Sequence, residues 1–250
     1  MKKRLSKALV ILIWIGIWQL VAAIINKPYL FASFTDSLKA LINLASTARF
    51  YEILLHTTLF TFAGFFLALF TGIICGVISF IFDSFRKFLD PVLSVMKSVP
   101  VASFVILILV WFGSKPLSII IAYIVVFPII YFATLSGLQS TDRQMLEMAE
   151  VFRLSRKDRI LYIYRLALTP YVLNGCFSAV SMAFKSCIAA EVISASDISI
   201  GGQLYYSKIY LDTAALFAWT FVIIILSAVS EKLIIYLLKK IGGRYGDYLK

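Results

Sequence analysis

Six long apolar runs, at residues 8–25, 53–82, 91–112, 117–138, 170–194 and 214–238, occupy most of this 250-residue chain and leave it few ways to fold. A hydrocarbon core about 30 Å thick takes roughly 20 helical residues to cross, so each run reads as a transmembrane helix. Within lipid the backbone must satisfy its own hydrogen bonds, which selects helices over irregular chain. The expectation is an all-α membrane protein, a single domain over residues 1–250 with about six transmembrane helices. Composition agrees: 61% of the residues are hydrophobic, against roughly 45–50% in soluble domains.

The formal charge of +11 fits either nucleic acid or a membrane, and its distribution decides between them. With the N-terminus inside, seventeen Lys and Arg fall on cytoplasmic segments, among them Lys2, Lys3, Arg4, Lys7, Arg143, Arg156 and Arg244. Only five fall outside, Lys27, Lys39, Arg49, Lys115 and Lys208. This is the positive-inside asymmetry of a multi-pass membrane protein with both termini cytoplasmic, and it needs no nucleic-acid partner. The basic N-terminus and first apolar run outline a signal peptide, but the run is too long and lacks a small-residue cleavage site, so it is kept as a span. Cys75, Cys176 and Cys187 sit in apolar stretches without ligand spacing and read as small buried hydrophobes. With one histidine and no Ser/His/Asp set, there are no catalytic, metal-binding or cofactor-binding residues to nominate.

Between the first two spans, Leu38, Leu41, Ile42, Ala45 and Ala48 recur at helical spacing after the candidate caps Thr35 and Asp36, predicting an amphipathic outer helix over 36–49. Gly64, Gly72 and Gly76 put small residues on one face of the second span, for packing either within the chain or against another subunit. The segment 139–169 is the one long cytoplasmic connection. Thr141-Asp142-Arg143-Gln144 fits a capping box, and Ser155-Arg156-Lys157-Asp158 repeats it with Asp. The pattern predicts a helix over 142–152, a break at Arg153-Leu154-Ser155, and a second helix running toward Pro170. Met145, Met148, Ala149 and Phe152 form an apolar stripe flanked by Glu147 and Glu150. Such a face either fills a groove on a soluble partner or packs on the cytoplasmic ends of the spans.

The stretch Glu147-Met148-Ala149-Glu150-Val151-Phe152-Arg153-Leu154-Ser155, with Arg159-Ile160 and Pro170-Tyr171-Val172-Leu173-Asn174-Gly175 after it, resembles the Glu-Ala-Ala loop of bacterial ATP-binding-cassette importer permeases. Lys97-Ser98-Val99-Pro100 through Trp111-Phe112-Gly113 is similar to the third-span signature of the nitrate/sulfonate/taurine type. His56 and the three glycines, and Phe184 to Glu191, extend that resemblance to about residues 30–240. It implies a type I importer permease fold whose cytoplasmic loop forms coupling helices. The implied ATPase-coupling residues are Glu147, Met148, Ala149, Glu150, Phe152, Arg153, Leu154 and Ser155. The implied partners are a second permease copy, two cytoplasmic ATP-binding subunits and an extracytoplasmic solute-binding protein. ATP and Mg would sit on the ATP-binding subunits, with no cofactor in this chain, which has no GxxxxGK[ST] loop. The implied cargo is a small organic or inorganic anion such as a sulfonate, taurine or nitrate, or a vitamin-precursor-like aromatic. The chain departs from the family pattern at Arg153, where glycine is usual, and at Leu166 and Ile106, where proline is.

Ionisable groups and helix breakers at membrane depth are costly and so are candidates for the translocation path or its gate. Pro100 is expected to kink the third span. Lys97 either faces a cavity or snorkels to the cytoplasmic interface, and His56 reads as a packing or interfacial residue. Lys185 either attracts an anionic solute or meets a partner within the bundle. Glu191, six residues on, is on another face and is assigned to the outer gate or the loop Ser194–Gly202, with Gly201-Gly202 as a tight turn. The alternative function is a stand-alone secondary transporter or channel, which would place paired carboxylates or broken helices at the midplane.

Overall fold

A computed structural model describes the backbone of residues 2–242 and the side chains from Leu9 to Tyr236, apart from Ile235. The basic side chains at Lys2, Lys3, Arg4, Lys7, Lys239, Lys240, Arg244 and Lys250, which carry part of the charge asymmetry, lie outside that set. All the described elements are helical. They are α1 (Lys2–Ile25), α2 (Phe34–Ala45), α3 (Ala48–Ile81), α4 (Asp83–Ser98), α5 (Val101–Phe112), α6 (Leu117–Gln139) and α7 (Arg143–Val151). Then α8 (Arg156–Arg159) leads through a π-helical turn (Ile160–Tyr164) into α9 (Arg165–Ser194), followed by α10 (Ile200–Ile209) and α11 (Thr213–Gly242).

Among the described residues, four helical stretches are long and apolar enough to cross a membrane: α3, α6, Arg156–Ser194 and Thr213–Ile234. Within α1, the described apolar stretch is Leu9–Ile25. The expected third span at 91–112 is not one helix, because the axes of α4 and α5 differ by 102°. Proline lacks an N–H and drives the residue before it out of the helical region. Val99 is accordingly extended, with ψ 131°, and Pro100 is the N-cap of α5. Pro100 therefore ends one helix and starts another instead of kinking a continuous one. The fifth span also begins earlier than 170: the helix runs unbroken from Arg156 with Pro170 inside it, while Thr169 Oγ1 donates to the Arg165 carbonyl at 2.6 Å. The helix expected over 36–49 begins at Phe34, since Ser33 and not Thr35 or Asp36 is its N-cap, with Ser33 Oγ accepting from the Asp36 N–H at 3.1 Å. Ala48, expected near its end, opens α3 instead.

The helices form two compact units. The first holds the chain up to Thr58 with Glu191–Ile225, the second Leu59–Ala190 with the chain from Leu226 onward. In the second unit α6 is the central helix, with Ile121, Ala122, Val126, Ile130 and Tyr131 fully buried. Gly64, Gly72 and Gly76 let α3 lie against it. A Cβ on Gly64 would come within 2.4 Å of the Ile119 carbonyl, and one on Gly76 within 2.7 Å of Thr134 Cβ. The small-residue face thus packs inside the chain. These pairings climb together, Gly64 on Ile119, Gly72 on Ile130 and Gly76 on Thr134, so α3 and α6 are parallel. Parallel neighbours require the intervening chain to return to the side where α3 began, which makes α4 with α5 a crossing rather than a re-entrant loop. α9 runs the other way along α6: Gly137 meets Leu168 and Tyr171, Gly175 meets Ala133, and Cys187 Sγ donates to the Ser118 carbonyl.

In the first unit the Trp18 ring gathers Phe31, Phe34, Phe217 and Phe221 at centroid distances of 4.9–6.1 Å. Its Nε1 donates to the Ala32 carbonyl at 3.0 Å, giving the indole its polar partner. Phe50 of α3 stacks on buried Trp219 of α11 at 5.2 Å.

Candidate functional site

The residues nominated for coupling lie on α7 and the turn after it. Thr141 does not cap α7, because its hydroxyl donates to the Leu138 carbonyl at the end of α6. The cap passes to Asp142, whose carboxylate accepts from the Gln144 N–H at 2.9 Å. At the other end the Arg153 N–H donates to the Glu150 carbonyl at 3.0 Å and the Leu154 N–H to the Ala149 carbonyl at 2.9 Å. This paired closure requires a left-handed residue between them. Arg153 fills that position with φ 49°, where a side chain costs roughly 1–2 kcal/mol that glycine avoids. Ser155 then caps α8, accepting from the Asp158 N–H at 3.2 Å and donating to the Asp158 carboxylate at 2.6 Å. The helix, break and second cap fall where the sequence pattern puts them.

Arg159 fastens the two helices and was not among the nominated residues. Its guanidinium donates to the carbonyls of Leu154 at 3.3 Å and Ala149 at 3.4 Å, and lies 3.7 Å from the Glu150 carboxylate. A cation on the last carbonyls of α7 also complements the helix dipole. The available signal was a basic residue eight positions beyond the end of α7.

The exposed apolar face is rotated from the expected stripe. Ala149 is fully buried, while Met145, Met148, Val151 and Phe152 are exposed, Val151 and Phe152 by 79% and 71%. Periodicity had included Ala149 and omitted Val151. Glu147 and Glu150 border this face, Glu147 paired with Arg143 at 3.0 Å. Leu154 is half-buried and Ser155 exposed.

The path candidates separate into different environments. Pro100 is exposed at the α4–α5 break, and Lys185 is exposed on α9 in a row with Asn174, Ser178 and Met182. Lys97, in the last turn of α4, is exposed with Nζ 4.5 Å from the Phe132 ring centroid. His56 is half-buried on α3. Glu191 is 2% exposed. Its carboxylate accepts from Thr57 Oγ1 at 3.0 Å and from the Gly201 N–H at 3.1 Å, and Thr57 Oγ1 accepts from the Ile200 N–H at 3.0 Å. A carboxylate at the first turn of α10 meets unpaired N–H groups and the positive end of the helix dipole. Glu191 therefore ties α9, α3 and α10 together. Gly201 and Gly202 are not a tight turn but the start of α10, where a Cβ on Gly202 would fall 1.8 Å from the Ser196 carbonyl. Sequence reading passed over Glu231 on α11, which accepts from Ser181 Oγ at 3.2 Å. An acidic residue inside the last apolar run was its only signal.

The family described as "binding-protein-dependent transport system inner membrane component" matches residues 68–242. A nitrate import permease protein of Synechococcus elongatus is 28% identical over 78% of this chain and 72% of its own length. A probable ABC transporter permease protein of Haemophilus influenzae is 28% identical over 91% of this chain and 93% of its own. A taurine transport system permease protein of Escherichia coli is 25% identical over 66% of this chain and 60% of its own. These agree with the resemblance read in the coupling-loop and third-span motifs, and such subunits are non-catalytic membrane components. With a match covering well over half its length and an all-helical membrane fold, the chain belongs to the family of binding-protein-dependent transport system inner membrane components, the permeases of ATP-binding-cassette importers.

Proposed function

We propose that two copies of this chain enclose the path of an importer for a small anion, with both termini cytoplasmic, and that α7 receives the motion of an ATP-binding subunit. The observation that carries this reading is the α7 face. Four large apolar side chains stand exposed on a helix of nine residues and its C-cap Phe152, the helix being capped at both ends and clasped by Arg159. An apolar face held rigid outside the spans fits a groove on a soluble partner. ATP and Mg are assigned to two cytoplasmic ATP-binding subunits, and solute delivery to an extracytoplasmic binding protein. Anionic cargo is supported by the relatives named for nitrate and taurine.

The test is co-purification of the chain with its cognate ATP-binding subunit. Met148→Glu with Phe152→Glu is expected to abolish the complex while leaving the permease folded. A complex of undiminished yield would sink the assignment of α7.

A further inference from the structure

Two ammonium groups, that of Lys97 in the last turn of amphipathic α4 and that of Lys185 within the apolar α9, have no carboxylate within ion-pair distance among the described residues, and both side chains are exposed. A charge facing hydrocarbon is expensive, so an unneutralised lysine on an apolar helix marks an aqueous path or a site for a counter-ion. Lys97 stands beside an open cavity of about 370 Å³ lined by Met96, Val101, Pro128, Phe132 and Met182. The volume is within the roughly 300–1,000 Å³ of small-molecule sites. The cavity lies in the corner where Val99 and Pro100 stop α4 and turn the chain by 102°, so no continuing helix fills it. Met182 links this corner to Lys185. Both are on the exposed face of α9, and three residues of helical rise put Lys185 about 4.5 Å beyond Met182.

We infer that this corner binds a small organic anion, a sulfonate or carboxylate with an apolar body. Lys97 and Lys185 neutralise the head group, and Phe132, Met96 and Met182 cover the body. An inorganic anion such as nitrate has no body to cover and gains only the charge interaction. The inference rests on the permease reading and adds to it a site and a preference among anions.

The probe is benzenesulfonate, titrated onto the full chain in nanodiscs of neutral lipid. Saturable binding is expected, weakened at least about tenfold by Lys97→Met and by Lys185→Met. Lys97→Arg and Lys185→Arg, which keep the charge, are expected to stay within about threefold of the parent. Nitrate at matched concentration should not displace the probe. Absence of saturable binding, parent-like affinity in the methionine variants, or displacement by nitrate as effective as by benzenesulfonate itself would each overturn the site. The same variants are co-purified with the ATP-binding subunit. A chain that recruits none speaks against the assembly, whereas intact complexes with unaltered benzenesulfonate binding speak against the site alone.

Discussion

At the scale of single residues, Arg153 and Arg159 do opposite things to one turn. Arg153 carries the strain of a left-handed backbone at φ 49°, so Arg153→Gly is expected to stabilise the protein by up to about 1 kcal/mol, with a raised thermal midpoint. A lowered midpoint would mean that the arginine side chain makes a contact worth more than the strain. Arg159→Ala removes donors from the Ala149 and Leu154 carbonyls and should loosen α7 without touching its exposed face. Hydrogen exchange in residues 143–154 should rise, with Arg159→Lys intermediate, because lysine keeps the charge but not the forked donors. The break at Arg153-Leu154-Ser155 was legible because Ser155 and Asp158 are a local capping pair. The burial of Ala149 was not, because helical periodicity locates a stripe but not which edge of it meets the rest of the chain.

At the scale of elements, close packing and a buried carboxylate set how helices lie together. Gly64→Leu would drive a side chain into the Ile119 carbonyl and Ala122. Overpacking of this kind costs roughly 1–3 kcal/mol or more, read as a lowered thermal midpoint and reduced yield of folded protein. Glu191→Ala leaves Thr57 and the Gly201 N–H without their acceptor in a buried place. That loss is worth roughly 1–3 kcal/mol for each stranded group, and amide exchange at Ile200 and Gly201 should rise ahead of the rest of α10. Exchange unchanged there would show that α10 is held by other contacts. The glycine face was visible in sequence, but its partner was not, since spacing alone serves either an internal or an intermolecular contact. The α4–α5 corner was half visible: Pro100 marked a disturbance, but a proline in an apolar run reads as a kink unless its extended neighbour is known.

At the scale of the whole chain, helix direction limits the topology more than hydropathy does. Because α3 and α6 are parallel, the chain between them crosses once, and α9 runs back against α6. The proposed orientation sets α7 and α8 on the side rich in lysine and arginine. Among the described residues, apolar length alone admits four or five crossings besides the apolar stretch Leu9–Ile25 of α1. The broken α4–α5 pair is the reason that counting apolar runs cannot decide between them. The membrane class and the helix, break and cap of residues 142–158 were therefore readable from residues, whereas the order of directions required the contacts.

The proposed ATP-driven uptake ties these scales together. Proteoliposomes carrying the chain, its ATP-binding subunits and its solute-binding protein should accumulate solute only when ATP is hydrolysed. Met148→Glu with Phe152→Glu on α7 should abolish accumulation together with recruitment of the ATP-binding subunits. Accumulation by the chain alone, driven by an ion gradient and indifferent to those two substitutions, would contradict the reading of α7 as the receiver of ATPase motion.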